Sequence, residues 1–295
     1  MTRLRLKWQR LLRLTLAALL CLAVLLPLVY ALRWAFFSVQ PMPGAVPAPN
    51  FVFPYQSLHF TSRDGLELAG WYIPPRNGIV ILLTHGYDGS RAQLVFQATA
   101  LAQAGYGVLL YDMRGHGESA GDRRTLGWLE VNDLLGALDY AQAQPGVEHI
   151  GAFGFSVGGE VTLRAVALAP EIEAVVGDGA SAAIFSDNPY PVDIPDLLFT
   201  PVSWWFYNFI SFFSGTPQPV GVIESLPRIT PRPILLIATS DNRELRQLTR
   251  FCQTAGDNCT LWNIPEAQHG GGWDARPAEY AQRLVDFFNT AFDLD

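Results

Sequence analysis

Ile150-Gly151-Ala152-Phe153-Gly154-Phe155-Ser156-Val157-Gly158-Gly159 is an apolar run that ends in a Gly-x-Ser-x-Gly turn and leads into a stretch rich in Ala, Leu and Val. A short apolar run bounded by glycine fits a strand buried on both faces, and the residues after Ser156 fit a helix. Strand, sharp turn and helix form the context in which such a serine is presented as a nucleophile. Gly154 and Gly158 suit it because side chains two residues either side of Ser156 would collide with neighbouring backbone. At a helix N-terminus, Ser156 also meets a dipole that favours the negative charge of acyl transfer.

Outward from this turn the same pattern repeats. Ile79 to Thr84, Gly107 to Tyr111, Ala174 to Gly177 and Ile234 to Thr239 are apolar runs bounded by Gly, Asp or Ser. Helical stretches intervene at Ala92 to Ala104, Leu126 to Gln142, Gly158 to Ala169 and Glu244 to Ala255, and a last one spans Pro277 to Phe292. Strand alternating with helix predicts a doubly wound, mostly parallel α/β sheet. Gln56 to Thr61 and Leu66 to Ile73 flank Asp64-Gly65, which predicts an opening antiparallel hairpin.

Between Asp196 and Glu224 nothing is charged, and Trp204, Trp205, Phe206, Phe209, Phe212 and Phe213 crowd together. This segment, about residues 186–228, reads as an aromatic lid. A second membrane helix there would be interrupted by Pro201 and would put Ser156 and His269 on opposite sides of the bilayer.

The first 33 residues hold six of the 20 basic residues, Arg3, Arg5, Lys7, Arg10, Arg13 and Arg33, and no acidic one. The remainder carries 14 basic against 27 acidic residues, the wrong sign for gripping a phosphate backbone, so nucleic-acid binding is not expected. Lys7 is the only lysine, which leaves a Ser/Lys dyad or a Schiff base without a residue to use. From Leu14 to Leu32 no residue is charged, and a run of about 19 apolar residues is long enough to cross a bilayer. The basic residues ahead of it predict a cytoplasmic segment 1–13, a signal-anchor helix 14–32 and an extracytoplasmic body. The alternative is a cleaved signal peptide, with Val29, Tyr30 and Ala31 as the small-residue site after Pro27, giving a secreted protein. Pro41, Pro43, Pro47 and Pro49 make 33–50 read as a stiff spacer before a single catalytic domain over 51–295.

Serine needs a base, and five histidines are available. His59 lies in the opening hairpin and His149 at the N-terminal end of a strand, whereas sites in such sheets form at the C-terminal ends. His85, His116 and His269 all follow strands. His269, after Thr260 to Ile264 and before Gly270-Gly271-Gly272, has the best claim.

With His85-Gly86, the loop Asp112 to Ser119, Gly154 to Gly158 and a terminal His269 in this order, the chain resembles the α/β-hydrolase superfamily over about Gln56 to Phe292. The likeness is to its serine-aminopeptidase-like and monoacylglycerol-lipase-like branch. The resemblance implies an oxyanion hole from the Tyr87 and Val157 amides, a structural His85 that orients the turn, and a 112–119 loop that shapes the pocket wall. It also implies an acid after the strand ending at Thr239. Asp241 is the first choice there, although the usual Gly-x-x-Asp turn is replaced by Thr239-Ser240-Asp241-Asn242-Arg243-Glu244. Glu244, or Asp178 at the end of the preceding strand, are the alternatives, and helix capping is the plainer use for any of the three.

No metal or nucleotide motif is present in the sequence, so no cofactor is expected. Cys252 and Cys259, at the end of a helix and the start of a strand, are placed to form a disulfide in an exported domain. The reading is therefore a membrane-anchored serine hydrolase that acts on small-molecule or lipid-like carboxylic esters. A peptidase, amidase or acyltransferase with the same triad, and a non-catalytic scaffold of the same fold, are the rivals. Oligomeric state is not encoded in any feature of the sequence.

Overall fold

The computed structural model describes residues 2–294, with side chains from Lys7 onward; of the basic cluster, the side chains of Arg3 and Arg5 lie outside the described residues. Eight strands form one sheet: β1 (Gln56–Thr61), β2 (Glu67–Ile73), β3 (Ile79–Thr84), β4 (Gly107–Tyr111), β5 (His149–Phe155), β6 (Ile172–Asp178), β7 (Ile234–Ala238) and β8 (Cys259–Asn263). Their order is β8-β7-β6-β5-β3-β4-β2-β1. β2 is antiparallel to both β1 and β4, and all other neighbours are parallel.

Parallel strands must be covered on both faces, and the alternation of side chains shows how. In β3, Val80 and Leu82 join one core, whereas Ile79, Ile81 and Leu83 join the other. The first core is closed by α3 (Val131–Gln142), α4 (Val157–Leu168) and α7 (Asn242–Ala255), the second by α2 (Val95–Gln103) and α8 (Pro277–Ala291). Each fully buried aliphatic side chain in these strands contributes about 1.5–3 kcal/mol by leaving water. The expected doubly wound sheet is thus present. Cys252 and Cys259 are joined as a disulfide, with Cα atoms 5.3 Å apart, tying the end of α7 to the start of β8.

The segment 186–228, expected to form a lid, holds one long helix, α5 (Ile194–Ser214), followed by the single turn α6 (Val222–Ser225). Asp193 caps α5 by accepting from Asp196 N at 2.8 Å, and Gly215 ends it at φ +68°. Pro201 does not interrupt this helix as its type suggests. Only one backbone donor is lost, and the turns after it bury Val202, Phe206, Tyr207 and Ile210.

The N-terminal helix α1 (Thr2–Ser38) runs six residues past Leu32, the end expected for the membrane span. Its first part is an exposed apolar rod, with Leu14, Leu19, Leu20 and Leu26 all more than half exposed. Its last turns are docked: Ala31 and Ala35 are fully buried, the Trp34 ring stacks on Phe206 at 4.0 Å, and Phe36 meets Phe213 edge-on at 5.4 Å. Small residues at 31 and 35 let the two helices approach closely.

The residues that follow, read from the sequence as a stiff spacer, touch the body. Met42–Pro43 pairs with His116–Gly117 as a two-residue parallel ladder, and Met42 N donates to Gly115 O at 2.6 Å. The proline spacing carried no sign of this long-range partner.

Gly136 lies in α3, where the sheet comes close. By helix propensity alone Gly136→Ala would stabilise α3 by about 1 kcal/mol. The added Cβ would however lie 2.5 Å from Thr61 O and 2.6 Å from Ser62 Cα. We therefore expect a net loss of about 1–3 kcal/mol, read as a lowered Tm in thermal unfolding; a raised Tm would contradict this packing.

Candidate active site

β5 ends at Phe155 and α4 begins at Val157, so the chain reverses at one residue, Ser156. That residue takes φ +55° and ψ −117°, a conformation that costs about 1–3 kcal/mol for a side-chain-bearing residue. The turn closes because its neighbours lack Cβ atoms. A Cβ on Gly154 would lie 2.1 Å from Gly158 O, and one on Gly158 2.2 Å from Thr84 O. Hydrogen bonds hold the reversal on both sides: Ser156 N donates to Asp178 O at 2.8 Å, and Ser181 N donates to Ser156 O at 3.1 Å.

His269 arrives from the loop after β8. Its Nε2 lies 3.0 Å from Ser156 Oγ, and its Nδ1 lies 2.5 Å from Glu244 Oε2. Gly270, at φ +78°, leaves no room for a larger residue, since a Cβ there would sit 2.7 Å from the Phe155 ring. The ring of Phe155 in turn flanks the imidazole at 5.3 Å.

The acid is where the sequence-based ranking and the structure part. Asp241, the first choice, is the N-cap of α7 and accepts from Arg243 N at 2.7 Å and Glu244 N at 3.1 Å. Both bonds fall on Oδ1 at the helix end, and His269 bonds to Glu244. Glu244, one turn into the helix, reaches back: Oε1 accepts from Thr239 N and Oγ1 at 2.7 and 2.9 Å, which leaves Oε2 for the histidine. Asp241-Asn242-Arg243-Glu244 follows the spacing of a helix-capping sequence, a cap residue with Glu three positions on, and that pattern was the available signal. Asp178 is buried beside the same imidazole, with its Oδ2 bonded to Tyr280 Oη at 2.6 Å. Burial pushes its carboxyl up to about 6.

The hydrogen bond to Glu244 raises the His269 pKa above its ordinary value, with burial opposing. With Nδ1–H donating to Glu244, Nε2 is left to accept from the serine hydroxyl. Such an array can move a proton off Ser156 and hold the resulting imidazolium charge.

Opposite lies the turn after β3. His85 is fully buried; its Nδ1 donates to Gly86 O at 2.7 Å and its Nε2 accepts from Met113 N at 3.0 Å. Burial lowers its pKa to about 3, so it is a neutral brace between two loops. Three side chains hold the turn further. Gln93 Oε1 accepts from Gly86 N at 2.8 Å, while His116 Nε2 lies 2.7 Å from Tyr87 O. Arg124 donates to Tyr87 O at 3.1 Å and to Tyr87 Oη at 2.8 Å. Nothing in the local sequence pointed to Gln93 or Arg124. Asp112 is buried under this loop, ion-paired with Arg91 and accepting from Glu118 N at 2.9 Å.

Tyr87 borders two cavities. One, of about 510 Å³, is bordered by Ser156, His269, Asp178, Asp88, Gln93 and Gln97. The other, of about 300 Å³, is bordered by Val157, Leu126, Trp34, Phe199 and Phe206. Among the described residues no three His, Cys, Asp or Glu side chains are gathered as a metal would require.

Residues 75–255 match the family of serine aminopeptidases of type S33, a family of hydrolases. The chain belongs to that family, within the α/β-hydrolase superfamily. Among relatives, the uncharacterized protein YfhR of Salmonella typhi is 31% identical over 150 residues, which cover 48% of this chain and 49% of that protein. The chain therefore spans about half the length of that relative. Thiohydrolase aneE of Aspergillus aculeatus is 29% identical over 41% of this chain and 40% of its own. Among solved structures, an esterase of Pyrococcus furiosus matches with a TM-score of 0.69 and 25% identity, covering 85% of this chain and 99% of the esterase.

The two neighbouring carboxylates separate by substitution. Glu244→Gln should lower kcat roughly 10⁴-fold, the scale seen when the acid of such a triad becomes an amide. Asp241→Asn should leave kcat near that of the unaltered protein. Steady-state kinetics on any ester that the protein turns over checks both, and equal losses would reject the assignment to Glu244.

Proposed function

We propose that this protein is a membrane-anchored serine hydrolase that cleaves carboxylic esters of apolar acyl groups through an acyl-enzyme on Ser156. The observation that carries this reading is the bridge of His269 between Ser156 Oγ, at 3.0 Å, and Glu244, at 2.5 Å. Ser156 Oγ attacks the ester carbonyl as its proton passes to His269 Nε2. Glu244 stabilises the imidazolium, and the Tyr87 and Val157 amides receive the oxyanion, where a single donor contributes about 3 kcal/mol. The imidazolium then protonates the departing alcohol, and water repeats the sequence to release the acid.

The ester preference draws on the esterase and thiohydrolase relatives and on the aromatic cavity beside Val157. Peptide hydrolysis is the second reading, favoured by the name of the family alone. The anchor reading draws on the exposed apolar length of α1, whose most apolar stretch is almost wholly unburied. An oxidising compartment for the body fits the disulfide between Cys252 and Cys259.

A fluorophosphonate probe should label the protein, and Ser156→Ala should abolish labelling and lower kcat on the order of 10⁵–10⁶-fold. Esters should be cleaved in preference to aminoacyl amides. The base must be neutral to accept the serine proton, and the His269 pKa is raised by Glu244. The acidic limb of kcat/KM should therefore lie above the range of an ordinary histidine, and Glu244→Gln should move it down. A folded protein that takes no label would refute the reading.

Topology is open to a separate check. In intact cells, protease added outside should remove the body, and Cys252 and Cys259 should react with maleimide only after reduction. Free thiols and a protected body would place the domain in the cytoplasm.

A further inference from the structure

We propose that the last turns of α1 form one wall of the acyl-binding cavity, and that this cavity takes a single hydrocarbon chain drawn from the bilayer that α1 crosses. The proposal rests on the serine-hydrolase reading of Ser156 and deepens it.

The first ground is the division of polarity at Tyr87. The cavity holding Ser156 and His269 is bordered by Asp88, Gln93, Gln97 and Asp178, a setting for a hydroxylated leaving group. The second cavity that Tyr87 borders is lined by Trp34 and Ser38 of α1, Phe199 and Phe206 of α5, and Leu126 and Val157. Its volume of about 300 Å³ is at the small end of ligand pockets. Arg243, the charged residue on its border, is turned onto the Phe199 ring with its guanidinium 5.2 Å from the centroid. Since the carbonyl must sit at Ser156 with its oxygen toward Tyr87 and Val157, the apolar side receives the acyl chain and the polar side the alcohol.

The second ground is what lies outside this wall. Phe36 and Phe37 of α1 and Leu197, Leu198, Trp204 and Phe212 of α5 are large apolar residues, each more than two-fifths exposed. They continue the exposed apolar surface of α1, so the helix pair that walls the cavity presents hydrocarbon to the same medium. An acyl chain entering there need not cross water.

The third ground is a buried arginine that joins α1 to the oxyanion turn. Arg124 donates to Gln40 O at 2.5 Å and to Phe37 O at 3.3 Å, while the same guanidinium holds Tyr87 O and Tyr87 Oη. The cation also lies over the Tyr87 ring, 4.1 Å from its centroid. The end of the anchor helix and the Tyr87 amide are therefore fixed to each other, and Arg124 is a positioning residue for both.

The test uses the full chain in phosphatidylcholine vesicles, with active sites counted by fluorophosphonate, and p-nitrophenyl esters from acetyl to palmitoyl. Ser38→Phe from the α1 side and Ser203→Phe from the α5 side fill the cavity. Each should lower the ratio of dodecanoyl to butanoyl kcat/KM by about tenfold or more. Trp34→Ala should shift the preferred length upward. A ratio unchanged within about twofold in all labelled variants overturns the wall assignment while leaving the serine hydrolase intact. An unaltered protein that neither labels nor turns over any ester fails at the underlying reading instead. For the source of the chain, a dioleoyl glyceride placed in the same vesicles should be cleaved much faster than one held in separate vesicles. Equal rates would overturn delivery from the bilayer.

Discussion

Everything at the carboxyl edge of the sheet depends on the reversal of the chain at Ser156. A strand in the middle of the sheet passes directly into a helix, so one residue must carry a left-handed backbone, and the residues around it must yield their Cβ atoms. The strain is held by a sheet buried on both faces, whose hydrogen bonds and aliphatic packing outweigh it many times over. In return the hydroxyl stands clear of its neighbours at the N-terminus of α4, where His269 can reach it. The same tightness explains why Thr84, His85 and Gly158 touch, and therefore why the turn after β3 lies opposite the serine.

The site around this reversal is built from two kinds of contact. Glu244, His269 and Ser156 form a short relay in which each group is oriented by the next. His85, Gln93, His116 and Arg124 instead hold backbone, fixing the Tyr87 turn from four sides. Asp178 stands apart from both, buried and bonded to Tyr280 close to the relay. A carboxyl so placed, with its pKa pushed up to about 6, sits in the field of the imidazole without orienting it.

The N-terminal helix changes character along its length. Up to about Leu26 it has the apolar, unburied surface of a membrane span, whereas from Ala31 it is part of the body, packed on α5 and tied through Arg124 to the loop below. The end of α1 and α5 are thus one packed unit. Small residues at 31 and 35 and aromatic ones at 34 and 36 do both tasks, since a helix needs close approach on one side and hydrocarbon on the other.

The fold was legible because its signals are local. Apolar runs of strand length alternating with helical stretches, an Asp-Gly turn and a Gly-x-Ser-x-Gly reversal are each written within about ten residues, and backbone sterics translate them directly into structure. Ser156 and His269 could be singled out for the same reason, by what precedes and follows each. The acid was less legible: the spacing of Asp241 and Glu244 hinted at a helix cap followed by a free glutamate, but the two lie three residues apart on one helix turn, and the direction from which His269 arrives, 25 residues further along the chain, decides which carboxylate it meets. Arg124 and the pairing of Met42–Pro43 were silent in the sequence because their partners lie tens of residues away, and Gln93 because its partner, the Gly86 amide seven residues back, follows no local motif. The sequence by itself determined the sheet, the turn and the apolar N-terminal helix, which rest on local sterics and periodicity; only the tertiary structure decided which carboxylate meets His269, the docking of α1 on α5 and the cavity between them, because contacts between distant segments depend on how packed elements meet.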